Sequence, residues 1–184
     1  MSDDELYSRF LAGEMSVADQ LMIKYMRQLI MYLDAIIHDI RDAEDLVIET
    51  FAVILTKHPS IREGGFRAYL YRAARNRALR FRIRKRRMNI FILEENIGEE
   101  LLSVQTEDEF FRDERRHAVL KCLNRIDPDC REALWLTFFE GLSYAEAAAV
   151  MGINVKKVDN LLIKGKQRMR TELAKEGITR VEEA

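Results

Sequence analysis

The chain of 184 residues has very little cysteine, proline or glycine: two, two and eight residues, respectively. Cys122 and Cys130 could join His117 on a metal, but the sequence has neither a CxxC motif nor the second ligand pair of a zinc site, so reduced thiols and no bound metal are expected. Scarce proline and glycine, beside abundant Leu, Ala, Glu, Arg and Met, favour helix almost throughout. An all-α fold is therefore predicted.

Long apolar runs and a basic N-terminus are also missing. No apolar stretch approaches the roughly 20 residues that a membrane-spanning helix needs. The first ten residues, MSDDELYSRF, are acidic, whereas a secretory signal would begin with positive charge. We therefore expect a cytoplasmic protein without membrane insertion. With 48% apolar residues, the chain can build the cores of one ordinary domain or two small ones.

The net charge is only −1, yet the charges are unevenly distributed. Residues 1–50 hold eleven acids and four bases, whereas residues 62–88 hold eleven bases and one acid. The sign reverses over residues 92–116, with nine acids and three bases, and again over residues 154–170, with six bases and one acid. Because like charges repel one another in a compact molecule, each basic block is expected to meet an acidic partner.

Apolar residues recur at spacings of three and four in the first part of the chain, which predicts amphipathic helices over residues 4–13 and 16–38. A third helix is predicted over residues 39–57, with Asp39 or Asp42 as its N-cap. Its apolar residues leave little of the circumference polar. This helix is therefore either deeply buried or in contact with a partner.

The next segment, KHPSIREGG, contains a proline and a glycine pair, which predicts a loop. A further helix is predicted from Phe66 to about Met88, and it carries most of the first basic block. Its buried side is expected to consist of Phe66, Leu70, Ala73, Ala74 and Phe81. A neighbouring strip combines an aromatic ring, an amide and guanidinium groups, as nucleic-acid surfaces do: Tyr69, Arg72, Asn76 and Arg80. The alternative is a solvated arginine face, or one folded against the acidic segment.

The acidic segment that follows lacks core periodicity, which indicates a linker over residues 91–112. Helices are predicted to resume from about Phe110 to Arg125 and to stop around Asp127 and Pro128. They restart through CREALWLTFFEG and end at Gly141.

Residues 142–170 have the pattern of a helix-turn-helix, with Ser143 as N-cap, Glu146 three residues later and Gly152 at the turn. Residues expected to face inward are Ala147, Ala148, Met151, Ile153, Val155, Val158 and Leu161. Residues expected to face outward are Lys156, Lys157, Asp159, Asn160, Ile163 and Lys164, followed by Lys166, Arg168 and Arg170. Lysine and asparagine at a helix N-terminus suit phosphates and base edges in a major groove. The alternative is a helical hairpin with a solvated basic face.

Three motifs occur in order: DAEDLVIETF, FRAYLYRAARNRAL and REALWLTFFEGLSYAEAAAVMGINVKKVDNLL. Together they resemble the two conserved regions of a minimal RNA polymerase sigma factor of the extracytoplasmic-function (ECF) group. The resemblance implies two helical domains, residues 1–90 and 113–184, joined by the linker 91–112. The first would dock on the polymerase and hold the minus-ten promoter element, and the second would bind the minus-thirty-five element.

The resemblance also assigns residues to these roles. Docking on bacterial RNA polymerase core is assigned to Asp42, Asp45, Leu46, Glu49 and Phe51. Binding of minus-ten DNA is assigned to Lys57, Arg62, Tyr69, Arg72, Arg75, Asn76 and Arg80. Binding of minus-thirty-five DNA is assigned to Ser143, Lys156, Lys157, Asp159, Asn160, Lys164 and Arg168. The sequence departs from the family pattern at Ile48, Tyr69, Asp159 and Leu161. Members are often held inactive by an anti-sigma protein, which makes such a partner a further expectation.

Two other classes of function remain to be distinguished. An enzyme could use Asp42, Asp45 and Glu49 as a metal site, but His38 and His58 are not spaced to complete it, so no catalytic residue or cofactor is expected. A helix-turn-helix regulator would use its N-terminal helices to sense or dimerise. Such a regulator should bind duplex DNA alone, whereas a sigma factor needs the core polymerase.

Overall fold

A computed structural model describes residues 2–95 and 114–178, and this part of the chain is helical without strands. The helices, in order, are α1 (Asp3–Leu11), α2 (Ser16–Ile37), α3 (Ile40–Lys57), α4 (Phe66–Glu95), α5 (Glu114–Asn124), α6 (Pro128–Leu134), α7 (Tyr144–Met151) and α8 (Val155–Lys175). A π-helical turn, Trp135–Phe139, follows α6 directly. The predicted all-α fold is confirmed. Within the described ranges no helix combines the length and the apolar character that a bilayer crossing requires.

Polar caps fix where the N-terminal helices begin. Ser2 and Glu5 form a reciprocal capping box at the start of α1. Asp39, one of the two predicted caps, accepts hydrogen bonds from the backbone N–H groups of Arg41 and Asp42 at the start of α3. The α2 helix ends at His38, whose φ of 58° is left-handed, a conformation that side chains other than glycine seldom adopt. The turn at His38 therefore sets the angle between α2 and α3.

Helix α4 is longer than predicted, since it continues past Met88 to Glu95 and so enters the segment assigned to the linker. The rest of that segment, and residues 110–113 of the next predicted helix, lie outside the described residues. Phe66, Leu70 and Ala74 are buried, as predicted. Tyr71, which was not assigned to the buried side, is fully buried as well. Its ring lies 5.4 Å from that of Tyr32 on α2.

The C-terminal helices follow the predicted helix-turn-helix. Asp127 caps α6 and Pro128 is its first residue, a position where the missing N–H costs nothing. Ser143 and Glu146 form the predicted capping box of α7, and Gly152 ends α7 in the left-handed conformation with φ 69°. The predicted anchors of α8 need correction. Val155 is 47% exposed, and Leu162 is the buried residue instead of the half-buried Leu161.

Close packing of α8 on α6 depends on a residue without a side chain. Gly165 is buried, and a Cβ there would approach Leu134 Cδ1 to 3.0 Å and Cys130 Cβ to 3.4 Å. Helix interiors disfavour glycine by roughly 1 kcal/mol relative to alanine. Glycine at this position therefore lowers the intrinsic stability of α8 but allows α8 and α6 to pack more closely.

The N-terminal helices (α1–α4) and the C-terminal helices (α5–α8) share one continuous apolar core. Helix α4 packs against α7, whose buried residues are Ala147, Ala148, Val150 and Met151, and Glu132 of α6 contacts side chains of α2 and α4. The basic helix α4 is therefore packed against the helix-turn-helix instead of standing free of it.

Candidate polymerase- and DNA-binding surfaces

Three acidic side chains lie along one face of α3. Asp42, Asp45 and Glu49 follow one another at spacings of three and four, which places them on the same side of a helix. Asp45 and Glu49 are exposed and Asp42 is partly exposed, and Ile48 beside them is 51% exposed. These four residues give α3 an outward surface that is acidic with an apolar centre; we call it the α3 acidic face.

Two other residues assigned to docking do not belong to the α3 acidic face. Leu46 is 5% exposed and Phe51 is 1% exposed, because both point into the core between the N-terminal helices. Their contribution is packing. The sequence left open whether α3 is deeply buried or contacts a partner. In the structure one side of α3 is buried in the core and the opposite side is exposed and available to a partner.

Cations of α4 approach the α3 acidic face. Lys85 Nζ lies 2.5 Å from Asp42 Oδ2, and an Arg77 guanidinium nitrogen lies 3.4 Å from Glu49 Oε2. The pKa of Lys85 is raised, first by its hydrogen bond with Asp42. Asp45 has no cation within 4 Å among the described residues. The acids on this face are thus partly neutralised in the free chain and remain accessible.

The predicted minus-ten strip is an open face of α4. Tyr69, Arg72, Asn76 and Arg80 follow one another at spacings of three and four, Arg72 and Arg80 are exposed, and Tyr69 is 36% exposed. No carboxylate of the described residues lies within 4 Å of either arginine. Lys57 and Arg62, at the end of α3 and in the following loop, are exposed too. This arrangement suits an acidic ligand with flat bases.

Arg75 differs from the rest of the predicted minus-ten set. Its guanidinium forms a bidentate salt bridge with Glu132 of α6, with Nε 2.6 Å from Oε1 and Nη2 3.0 Å from Oε2. The two side chains are 16% and 11% exposed. Burial opposes the charged form of Arg75, but the hydrogen bond and charge of Glu132 outweigh it and raise the pKa. Arg75 is therefore engaged inside the protein and does not lie on the open strip.

A second polar junction lies beside the first. Tyr71 donates its hydroxyl hydrogen to Glu140 Oε2, and Trp135 donates its indole N–H to Glu140 Oε1 at 2.9 Å. Glu140 is 6% exposed. Burial raises its pKa, and the two hydrogen bonds act in the opposite direction. The π-helical turn creates this geometry, since the Glu140 N–H bonds to the Trp135 carbonyl five residues earlier at 3.1 Å.

Sequence reasoning missed Glu132, Glu140 and Tyr71 as functional positions. The partners that they contact in the other set of helices are 57 to 100 residues away in the chain. One signal was available: Tyr71 and Arg75 lie four residues apart and so face the same side of α4, beside the predicted strip.

The helix-turn-helix presents the predicted cations. All six residues assigned on α8 are exposed: Lys156, Lys157, Asp159, Asn160, Lys164 and Arg168. Ile163, 61% exposed, lies among them. The Ser143 hydroxyl is already used by the capping box, since it accepts from the Glu146 N–H at 3.2 Å and donates to Glu146 Oε2 at 2.7 Å. Its capping role does not require DNA.

Metal ligands do not cluster in the part of the chain that the structure describes. Cys122 and Cys130 are buried free thiols, and burial raises the pKa of each. The side chain of His117 lies outside the described part. Two of the carboxylates considered for an enzymatic metal site, Asp42 and Glu49, are paired with α4 cations.

Two sigma-factor families match the chain. The Sigma-70 region 2 family matches residues 21–88, and the Sigma-70, region 4 family matches residues 116–169. Helices α2 to α4 supply most of the first match, and the second runs from α5 into α8. The matches therefore coincide with the two sets of helices that carry the surfaces described above.

Curated relatives are sigma factors. The ECF RNA polymerase sigma factor SigE of Mycolicibacterium smegmatis is 31% identical over 135 residues, which are 73% of this chain and 52% of the relative. The chain thus spans about half the length of that relative. The RNA polymerase sigma-H factor of Pseudomonas aeruginosa is 27% identical over 174 residues, 90% of each chain. The RNA polymerase sigma factor CnrH of Cupriavidus metallidurans is 31% identical over 137 residues, 70% of this chain and 71% of the relative.

Solved structures share the fold. CnrH in complex with the cytosolic domain of CnrY has a TM-score of 0.67 at 24% identity, covering 94% of this chain and 97% of that one. RpoE in complex with the anti-sigma factor NepR, from Bartonella quintana, has a TM-score of 0.68 at 24% identity, covering 85% and 96%. On the strength of the family matches and the curated relatives, the chain belongs to the ECF family of RNA polymerase sigma factors.

Proposed function

We propose that this chain is the subunit that directs bacterial RNA polymerase to a specific set of promoters. Residues 1–90 would dock on the polymerase and hold the minus-ten element, residues 91–112 would link the two parts, and residues 113–184 would bind the minus-thirty-five element. The observation that carries the proposal is the occurrence in one chain of an aromatic and cationic strip on α4 and a cationic reading helix in a helix-turn-helix. A subunit of this kind acts in the cytoplasm and performs no covalent chemistry.

The α3 acidic face is the proposed docking surface. Its carboxylates would meet basic side chains of the polymerase, which gives specificity and a fast encounter, while Ile48 supplies apolar burial at the centre. Leu46 and Phe51 would support this surface from the core without touching the partner.

The strip on α4 is the proposed site for separated promoter strands. An unpaired base can stack on Tyr69, and stacking contributes about 1–3 kcal/mol per base, enough to offset part of the cost of unstacking. Arg72 and Arg80, together with Lys57 and Arg62 nearby, would follow the phosphates. Each single-strand phosphate that is neutralised should steepen the slope of log affinity against log salt concentration by about 0.7.

Helix α8 is the proposed reader of intact duplex. Positive charge for phosphate contacts comes from Lys156, Lys157, Lys164 and Arg168. Asn160 can form bidentate hydrogen bonds with the edge of an adenine. Asp159 would repel phosphates unless it accepts a hydrogen bond from a cytosine amino group. A cytosine at the position it faces is therefore part of the proposal.

An anti-sigma protein is the proposed second partner. The structures of CnrH and RpoE contain CnrY and the anti-sigma factor NepR, respectively, and both proteins share the fold of this chain.

Reversing the charge of Asp45 and Glu49 tests the docking proposal. The Asp45→Lys/Glu49→Lys variant should bind core polymerase at least about tenfold more weakly, a loss of about 1.4 kcal/mol, because repulsion replaces attraction at the interface. Binding is measured by titrating labelled chain with purified core enzyme, and function by run-off transcription across a genomic promoter library.

The control is Asp19→Lys/Glu63→Lys, which makes the same change in net charge at two exposed acids outside α3. It should bind the core like the original chain. Equal binding by the test variant and the control would refute the docking surface. Tight duplex binding by the chain alone, without promoter-specific transcription on adding core enzyme, would favour the helix-turn-helix regulator instead.

A further inference from the structure

A small polar cavity lies between the N-terminal helices and Glu140, the residue that follows the π-helical turn. Its volume is about 180 Å³. Pockets for drug-sized ligands measure roughly 300–1,000 Å³, so this cavity suits a much smaller molecule. Six of the side chains that line it are ionisable: Asp3, Lys24, Tyr25, Arg67, Tyr71 and Glu140. We call it the Arg67 cavity.

Arg67, in the first turn of α4, is the lining residue whose donors are not used. Its Nε is enclosed by protein atoms, yet it has no hydrogen-bond partner in the part of the chain that the structure describes. No described carboxylate lies within 4 Å of its guanidinium either. A buried donor without an acceptor is destabilising, and the effect is larger for a charged group. An acceptor inside the cavity would therefore stabilise the protein.

The two carboxylates of the Arg67 cavity are already satisfied by other donors. Asp3 pairs with the Lys24 ammonium through one oxygen and accepts the Tyr25 hydroxyl hydrogen with the other. Glu140 accepts one hydrogen bond at each of its two oxygens. The hydrogen-bonding capacity that the cavity leaves unused therefore lies in the donors of Arg67.

The positive charge of Arg67 acts on the interior of the cavity. Burial raises the pKa of three lining groups, and the charge of Arg67 opposes this rise in each of them: Tyr25, Tyr71 and Glu140. The two carboxylates that line the cavity are balanced by its two cations. An anion that enters the cavity would thus meet no net negative charge and would find unused donors.

We propose that the Arg67 cavity binds a small oxyanion, namely a carboxylate or a phosphate group that accepts two hydrogen bonds from the Arg67 guanidinium. Nε and one Nη of a guanidinium lie side by side, and both kinds of group present two oxygens that match this fork. The inference goes beyond the proposed function and does not depend on it, because the cavity belongs to the chain without polymerase or DNA.

Two other occupants fit the Arg67 cavity less well. A metal cation would be repelled by Arg67 and Lys24, and both carboxylates already have partners. Water satisfies a donor but does not neutralise the guanidinium, whereas an oxyanion does both, in surroundings where charges interact more strongly than in bulk solvent. Water is therefore the alternative that the experiment has to exclude.

The test titrates the full chain with sodium phosphate and with sodium acetate, and uses sodium chloride at equal ionic strength as the reference. Isothermal titration calorimetry gives the dissociation constants. Thermal unfolding gives the stabilisation that accompanies binding to the folded state. At least one oxyanion should bind in a saturable way and raise the melting temperature above its value in chloride. The tighter of the two identifies the ligand chemistry as carboxylate or phosphate.

Variants at position 67 separate charge from geometry. Arg67→Lys keeps the charge but lacks the two-donor fork, and Arg67→Gln lacks both, so each should weaken oxyanion binding about tenfold or more. Arg84→Gln is the matched control, because Arg84 is an exposed arginine of the same helix that does not line the cavity. It should bind the oxyanion like the original chain. Circular dichroism establishes that each variant retains its helical content.

Nuclear magnetic resonance of the chain labelled with nitrogen-15 arginine observes the proposed donor directly. The Nε–H signal of Arg67 is assigned as the one that is missing from the spectrum of Arg67→Gln. Binding should shift this signal and slow its exchange with water, because the donor then has an acceptor.

The proposal is overturned if phosphate and acetate leave both this signal and the melting temperature as chloride leaves them, which would mean that water alone fills the cavity. It is also overturned if Arg67→Gln binds the oxyanion as tightly as Arg84→Gln does, since the ion would then bind the basic surface in general. These measurements use neither polymerase nor DNA, so failure of the proposed function leaves them able to decide.

Discussion

Single polar side chains decide where a helix of this protein begins, and Asp39 is the clearest case. Its carboxylate accepts two backbone N–H groups at the first turn of α3, each at 3.1 Å. The hydrogen bond from the backbone N–H of Asp42 is the main cause that lowers the pKa of Asp39, and Lys85 lowers it further. Asp39 thereby fixes the start of the helix that presents the α3 acidic face.

Replacing Asp39 should weaken α3 in a pH-dependent way. Asp39→Ala should lower the free energy of unfolding by about 1 kcal/mol at pH 7, whereas Asp39→Asn keeps an acceptor and should lose less. Because the folded-state pKa is depressed, the ionised carboxylate stabilises the fold above its unfolded pKa of about 3.9, and this contribution is lost as pH falls through the folded value. Urea titrations of the three chains between pH 3 and 7 check this; a constant gap between the original chain and Asp39→Asn would contradict it.

Individual side chains were also where sequence reasoning reached its limit. Hydrophobic periodicity placed Arg75 on the basic helix, and the family resemblance assigned it to DNA binding. Its buried partner Glu132 is 57 residues away in the chain, so the pair could not be predicted from the local sequence. Leu46 and Phe51 belong to a recognisable motif, yet the structure buries them. A pattern along the chain specifies which residue types occur together. Which face of a helix another helix covers depends on tertiary packing.

At the level of whole elements the sequence was far more informative. Asp39 predicted the start of α3, Ser143 and Glu146 the start of α7, and Gly152 the turn before α8, because such signals are local and act within one turn. The π-helical turn at Trp135–Phe139 was not predicted, since its extra residue leaves no distinct pattern of residue types. This turn matters because it brings Trp135 and Glu140 together.

Helix α8 can be tested as an independent reading element. Lys156→Ala/Asn160→Ala should reduce the contribution of the minus-thirty-five element to transcription by about 1–3 kcal/mol, because one base contact is lost, and should lower the salt slope by about 0.9 for the lost phosphate contact. Polymerase binding should stay near normal. Run-off transcription on promoters with and without the element provides the measurement, with Lys175→Ala at the far end of α8 as control. The proposed role of α8 is contradicted if the variant loses polymerase binding while its transcription still depends on the minus-thirty-five element.

For the molecule as a whole, the shared core and the hydrogen bonds that Glu132 and Glu140 accept from α2 and α4 imply that the two sets of helices stabilise each other. Small chains with one continuous core usually unfold in a single cooperative transition. Trp135 reports on the C-terminal helices alone, because it is the single tryptophan, whereas circular dichroism reports on all helices. The two signals should therefore follow the same curve as denaturant is added to the original chain.

Weakening the contacts of Glu132 with Arg75 and of Glu140 with Tyr71 should separate these two curves. In Glu132→Gln/Tyr71→Phe the charge that pairs with Arg75 and the hydrogen bond from the Tyr71 hydroxyl are lost, at a cost of about 1–3 kcal/mol for each buried group left unsatisfied. The tryptophan transition should then occur at lower urea concentration than the main circular dichroism transition. Glu176→Gln should weaken the C-terminal helices without decoupling, and so shift both curves together. If tryptophan emission and circular dichroism already give different transitions in the original chain, the two sets of helices are not coupled. Coupled sets of helices unfold together, and both signals would then follow the same curve.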